Sequence, residues 1–235
     1  MTELDKLQQH VIHCRLCPRL VQWREHIAYK KTKRFENWKY WGKPIPSFGD
    51  PDAELLLIGL APAAHGGNRT GRMFTGDRSG DWLYRALHRF QFANQPTSVS
   101  RDDGLRLKNC YITATCRCAP PQNKLLPAEI LNCRPFLFKE LKMLRSVRVI
   151  VGLGKVGFDS ALSSLRDLGV RTQTTKLRFS HGAEYLITKN LTLLASFHPS
   201  QQNTFTGRLT ESMFDAIFRR ALSIIKTTDS PRELI

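Results

Sequence analysis

Glu54-Leu55-Leu56-Leu57-Ile58-Gly59-Leu60, followed at once by Ala61-Pro62-Ala63-Ala64-His65-Gly66, is the stretch on which the fold turns. An aliphatic run with no polar alternation suits a strand covered on both faces rather than one half-exposed to water. The break at Ala61-Pro62 and the glycine-rich run from Gly66 to Gly80 predict a loop leaving the carboxyl end of that strand. Outward from it, helices and strands alternate. Residues 3–12 read as a short helix, and residues 42–53, with Gly42, Pro44, Pro46, Gly49 and Pro51, as a loop. Asp81–Phe90 has helical spacing, with Trp82, Leu83, Ala86, Leu87 and Phe90 on one side. Further strands are predicted over 110–115, 147–151 and 191–197. Further helices are predicted over 127–144, opened by Pro127, and over 156–168 and 211–226. This alternation implies an α/β domain whose mostly parallel sheet is covered on both faces. The polar motifs then fall on loops at the carboxyl ends of strands, where such folds carry their chemistry.

The 235 residues are enough for one domain of this kind, read as spanning 1–235 with a distinctive N-terminal segment over about 1–50. Lys and Arg number 36 against 20 Asp and Glu, a formal net charge of +16. A surplus of that size speaks of partners rather than fold. Nucleic acid is the commonest partner for an intracellular chain so charged, and a solvated basic surface is the other reading. Between Trp23 and Lys43, seven basic residues (Arg24, Lys30, Lys31, Lys33, Arg34, Lys39, Lys43) interleave with Trp23, Tyr29, Phe35, Trp38, Tyr40 and Trp41. Cations for phosphates beside rings for bases suit nucleic acid, although such rings also build cores. No apolar run approaches the roughly 20 residues that cross a bilayer, and Met1-Thr2-Glu3-Leu4-Asp5 does not open a secretory signal. The expectation is a soluble cytoplasmic protein.

Six cysteines are present. In a cytosolic chain a close pair points to metal binding or redox work rather than a disulfide. Cys14 and Cys17 form a C-x-x-C half-site; Cys118 and Cys133, each beside a turn containing proline, supply a second pair. Cys110 and Cys116 read as small buried residues of the second strand. Four thiolates suit a structural zinc or a [4Fe–4S] cluster, and spacing does not choose between them. Gly152-Leu153-Gly154-Lys155-Val156-Gly157 matches G-x-G-x-x-G after a strand, but a dinucleotide site needs an acidic residue roughly 20 positions on. The stretch 171–180 has none, so these glycines read as a tight strand-to-helix turn and no nucleotide cofactor is expected.

Gly59-Leu60-Ala61-Pro62-Ala63-Ala64-His65-Gly66, Thr70-Gly71-Arg72-Met73-Phe74-Thr75-Gly76-Asp77, His198-Pro199-Ser200 with Gly207-Arg208-Leu209-Thr210, and the four cysteines together resemble the iron–sulfur uracil-DNA glycosylases. Within them the likeness is to the family 5, or type B, branch, and it runs from Cys14 to the final helix. Leu60 stands where the related family 4 enzymes have Glu, and Ala114 where they carry a base-reading Asn. Both departures match family 5 and imply a pocket less strict for uracil. The resemblance implies a three-layer α/β/α fold around a four-stranded parallel sheet. It implies a [4Fe–4S] cluster on Cys14, Cys17, Cys118 and Cys133. It also implies hydrolysis of the N-glycosidic bond of uracil or another deaminated base in DNA, leaving an abasic site for base excision repair. The expected state is a monomer acting on nucleoid DNA.

Chemistry assigns expected roles within that resemblance. A base in duplex DNA must be flipped into a snug pocket with a stacking ring before C1′ can be attacked. Phe74 is placed to be that ring; otherwise it is an ordinary core residue. His198, at the end of the fourth strand, is the candidate donor to the anionic leaving base. Asp77 is the candidate to orient or activate the water, or else a helix cap near Asp81, with Asn123 a second candidate for the water. Ala61, Pro62, Ala63, Gly66 and Ala114 would line the base pocket, with His65 either there or on a phosphate. Lys30, Lys31, Lys33 and Arg34 are candidate DNA contacts. So are Ser200, Asn203 and Arg208, in a segment (199–208) expected to enter the duplex. No lysine stands where a Schiff-base nucleophile is expected, which favours a monofunctional enzyme. The competing class is a non-enzymatic nucleic-acid-binding module with a structural zinc on the four cysteines.

Overall fold

The computed structural model describes residues 1–171 and 177–227. Part of the stretch 171–180 used above, residues 172–176, therefore lies outside the described residues, as do 228–235 of the proposed domain. Six strands form one sheet among the described residues: β1 (Phe48–Gly49), β2 (Leu55–Gly59), β3 (Cys110–Ala114), β4 (Val149–Leu153), β5 (Glu184–Thr188) and β6 (Leu191–Ser196). Their order is β1-β3-β2-β4-β6-β5. The inner four, β3-β2-β4-β6, run parallel, as the alternation predicted. The edges β1 and β5 are antiparallel additions that flank this central four-stranded parallel sheet. β1 falls inside the stretch read as loop and is only two residues long. β5 is an edge strand with exposed Glu184 and Leu186, so its residues show no two-sided apolar pattern.

Every residue of β2, β3, β4 and β6 is buried, because helices cover both faces. Leu55 and Leu57 face α4 (Arg78–Arg89) and α8 (Glu211–Lys226), packing with Leu83, Leu87, Phe214 and Phe218. Leu56 and Ile58 point the other way, toward Leu137 of α5 (Pro127–Met143) and Phe158, Ala161 and Leu165 of α6 (Lys155–Asp167). That is the three-layer arrangement. The glycines of the G-x-G-x-x-G run serve packing, as read from the sequence: a Cβ at Gly152 would come 2.5 Å from the Phe158 backbone, and one at Gly157 would strike the Ile58 carbonyl.

The N-terminal region adds α1 (Glu3–Ile12), whose Thr2 and Asp5 form a capping box, and α2 (Pro18–Lys30). α1 is tied to the domain by a buried polar network. Gln8 donates to Glu140 (2.9 Å), which also accepts from Ser47, Thr113 and Arg117. No helix of the described residues is long and apolar enough to cross a membrane.

Candidate active site

The carboxyl end of β2 is built around one ring. Phe74 packs against Gly59, where a Cβ would come 2.9 Å from its Cζ. Phe74 also has φ +52°, a left-handed conformation that costs a non-glycine residue about 1–3 kcal/mol. The loop holds it there by dense bonding. Tyr84 donates its hydroxyl to Met73 O (2.8 Å), and buried Arg72 reaches Ser98 (2.6 Å) and Asp103 (2.8 Å). Gly80 leaves no room for a Cβ beside the Phe74 carbonyl. The strained backbone at Phe74 is thus held by its surroundings, with the ring packed at the edge of the core.

His198, two residues beyond β6, stacks on that ring with centroids 5.8 Å apart and planes 28° apart. Gly154 makes room for it: a Cβ there would lie 3.3 Å from His198 Cβ. Asn203 Nδ2 donates to the His198 carbonyl at 2.9 Å. Burial pushes the His198 imidazole down to about 4. The ring is then neutral at pH 7, with one nitrogen donating and the other accepting.

Asp77 caps α4, its Oδ1 accepting the Gly80 N–H at 3.0 Å, while Oδ2 lies against Gly66, where a Cβ would collide with it. Burial raises the Asp77 carboxyl above the usual carboxylate range, opposed by the N–H groups of Gly80 and Ser79 and by Arg69. The capping role weighed from the sequence is real, and it leaves the second oxygen beside the loop. His65 pairs its Nδ1 with the Tyr40 hydroxyl at 3.0 Å and is lowered by burial. Pro62 and Gly66 are buried, Ala61, Ala63 and His65 half-buried. Ala114 is buried opposite Gly59 in the β2–β3 register. Asn123 stands apart on an exposed turn (Pro121–Asn123) where it and Gln122 have positive φ; no described contact joins it to Asp77 or His198.

The candidate DNA contacts divide. Lys30, Lys33, Arg34 and Arg208 are exposed, but Lys31 caps α2 and donates to Glu36 O at 2.9 Å. Ser200 caps the short helix α7 (Gln201–Phe205) and Asn203 holds His198, so both side chains have internal work. Of the six rings in the basic segment, Tyr29 is free in solvent at 86% exposure. Tyr40 is buried, and Phe35 and Trp38 enclose Arg69.

Cys14, Cys17, Cys118 and Cys133 line one cavity, together with Arg24 and Cys116. The loop between α1 and α2, the loop after β3, and α5 bring them together. Cys110 is a buried strand residue as expected. Cys116 is buried too, but past the end of β3, in the cavity wall beside Cys133. Arg24, 2% exposed, donates to Cys118 Sγ (2.9 Å) and to Cys14 O (3.4 Å). Among the described residues no group of three or more His, Cys, Asp or Glu has the arrangement to hold a metal ion. The four thiols stand around the cavity wall, with a buried guanidinium on one of them. Arg24 carried no signal in the sequence beyond its place in the basic run, and the enclosure of Arg69 carried none at all.

Fold and site together define an α/β/α domain with a stacking ring, a neutral histidine and a capping carboxylate on loops at the carboxyl ends of parallel strands. A family model described as the Uracil DNA glycosylase superfamily matches residues 46–222. The chain belongs to that superfamily, in its type-5 branch. It is 52% identical over 209 residues to a type-5 uracil-DNA glycosylase of Mycobacterium bovis, covering 88% of this chain and 76% of that one. To the type-5 enzyme of Thermus thermophilus it is 47% identical over 213 residues, 91% of this chain and 94% of that one. A type-4 uracil-DNA glycosylase of Thermotoga maritima is more distant, 30% identical over 153 residues, 65% and 67% of the two chains.

Proposed function

We propose that this protein is a monofunctional DNA glycosylase that hydrolyses the N-glycosidic bond of uracil in DNA, as the first step of base excision repair. We extend the proposal to other deaminated bases such as hypoxanthine. The observation that carries it is the strained Phe74 ring stacked on a neutral His198, in the loop that also holds Asp77, within a chain of this family. A flipped base stacks on Phe74, between the backbone of 61–66 and Ala114. Breaking the bond to C1′ leaves negative charge on the base, and a neutral imidazole N–H stabilises it by donating a hydrogen bond. Asp77 orients the attacking water with the carboxylate oxygen that does not accept from Gly80. Ala114 offers no side-chain hydrogen bond to a base edge, so wrong bases leave nothing unpaired and the pocket tolerates several lesions.

Lys30, Lys33, Arg34 and Arg208 supply phosphate contacts, which position without reading sequence. Cys14, Cys17, Cys118 and Cys133 would hold a [4Fe–4S] cluster, whose iron–thiolate bonds would cross-link the N-terminal region to β3 and α5. Arg24 offsets the negative charge of the thiolates there. The protein acts as a monomer on nucleoid DNA in the cytoplasm and takes no nucleotide cofactor. The test uses duplexes with a single uracil, hypoxanthine or xanthine, and an undamaged control. Abasic sites are expected at uracil and hypoxanthine and none in the control; inertness on every lesion overturns the reading.

A further inference from the structure

Arg69 belongs to α3 (Gly67–Thr70), a single helical turn inside the glycine-rich loop, and is 4% exposed. Its Nε donates to the His65 carbonyl at 2.7 Å and its Nη2 to the Gly76 carbonyl at 3.0 Å. One guanidinium therefore spans the loop from the base-pocket side to the residue preceding Asp77. Phe35 and Trp38 close over the guanidinium, 3.9 and 4.2 Å from their ring centroids. Gly76 has φ +74°, which favours glycine, and a Cβ there would also meet Nη2. Nη1 is buried without a hydrogen-bond partner among the described residues.

We infer that Arg69 is a positioning residue for Asp77: clamped between Phe35 and Trp38, it fixes both ends of the loop and sets its positive charge beside the Asp77 carboxylate. The inference rests on the glycosylase reading for what Asp77 does. Burial and neighbouring Asp81 both favour the protonated, inactive form of Asp77, whereas Arg69 and the Gly80 and Ser79 N–H groups favour the carboxylate. Arg69 in turn faces Tyr40, Arg34 and the imidazole of His65, which it also holds down, as well as Asp77. Taking away the guanidinium therefore moves the acid limb of the pH–rate profile to higher pH.

The experiment measures single-turnover cleavage of a uracil-containing duplex from pH 5 to 9 for the native protein, R69Q, R69K and W38A, with DNA affinity measured alongside. R69Q is expected to lose about tenfold or more near pH 7 with its acid limb moved to higher pH and its affinity near native. R69K, which keeps the charge, is expected to keep the native limb. W38A removes one wall of the clamp without touching the loop, and a smaller rise is expected there. An acid limb at its native pH in R69Q, or in W38A should R69Q not fold, overturns the inference. NMR titration of the Asp77 carboxyl carbon reads the same shift without turnover. If the native protein cleaves no lesion, the glycosylase reading falls while this titration still decides the role of Arg69.

Discussion

His198→Ala tests the site through two independent measurements. Removing one donor to a developing anion in a water-poor site slows the chemical step by about 10²–10³, or about 2.7–4 kcal/mol. Single-turnover cleavage of uracil-containing duplex should fall by that factor while duplex affinity stays near native, since His198 is not among the phosphate contacts. The second measurement is stability. The folded ring titrates near 4 against 6.5 for the free group. Below 6.5 the unfolded chain takes up a proton that the folded protein refuses, so stability is whole at higher pH and is lost as pH falls toward 4. Between pH 8 and pH 5 this difference amounts to about 2 kcal/mol. Urea unfolding at both pH values should show the native protein losing about 2 kcal/mol more than the variant. His65 and His181 are lowered by burial too, but they are present in both proteins and cancel in the comparison. Equal acid sensitivity of native protein and variant would refute the buried neutral imidazole, and undiminished cleavage would remove His198 from the chemistry.

Other parts of the molecule carry their own tests. Ala114→Asn places an amide at the end of β3 and should narrow activity toward uracil, read as the ratio of uracil to hypoxanthine cleavage; an unchanged ratio would mean that the β3 end does not meet the base. Neutralising Lys30, Lys33 and Arg34 together should weaken binding equally for damaged and undamaged duplex and reduce the salt slope by about two to three, with a log–log slope of native value counting against phosphate contact. Alanine at any one of Cys14, Cys17, Cys118 or Cys133 should abolish the yellow-brown absorption near about 400 nm, whereas Cys110→Ala should retain it; a colourless native protein containing one zinc would replace the cluster assignment.

Much of this molecule is legible along the chain, because certain elements carry their determinants locally. α1 and α8 begin where Thr2 and Thr210 cap them, and their bounds match the sequence reading. β2 is recognisable because its residues are apolar on both faces, which is the condition of an inner parallel strand. The same logic hides β5 and β1. Edge strands are held by pairing on one side, so no two-sided apolar pattern marks them. α2 is another such element: Cys17 contributes no capping bond at its start, and Arg24 reads as one more cation of the basic run until it is seen turned inward.

At the site the division is sharper. The sequence alone established the family resemblance, the inner sheet, the loops that carry Phe74, Asp77 and His198, and the four cysteines that meet at one cavity. Those features depend on residue type and spacing within short segments. Tertiary structure alone decided that Phe74 takes a left-handed backbone and that His198 lies on its ring. It also decided that Cys116 belongs to the cavity wall and that Phe35 and Trp38 close over Arg69. Each of these depends on two segments distant in sequence meeting in space. The free energy of such a meeting comes from desolvation, stacking and shared hydrogen bonds between them, quantities that neither segment carries when read separately.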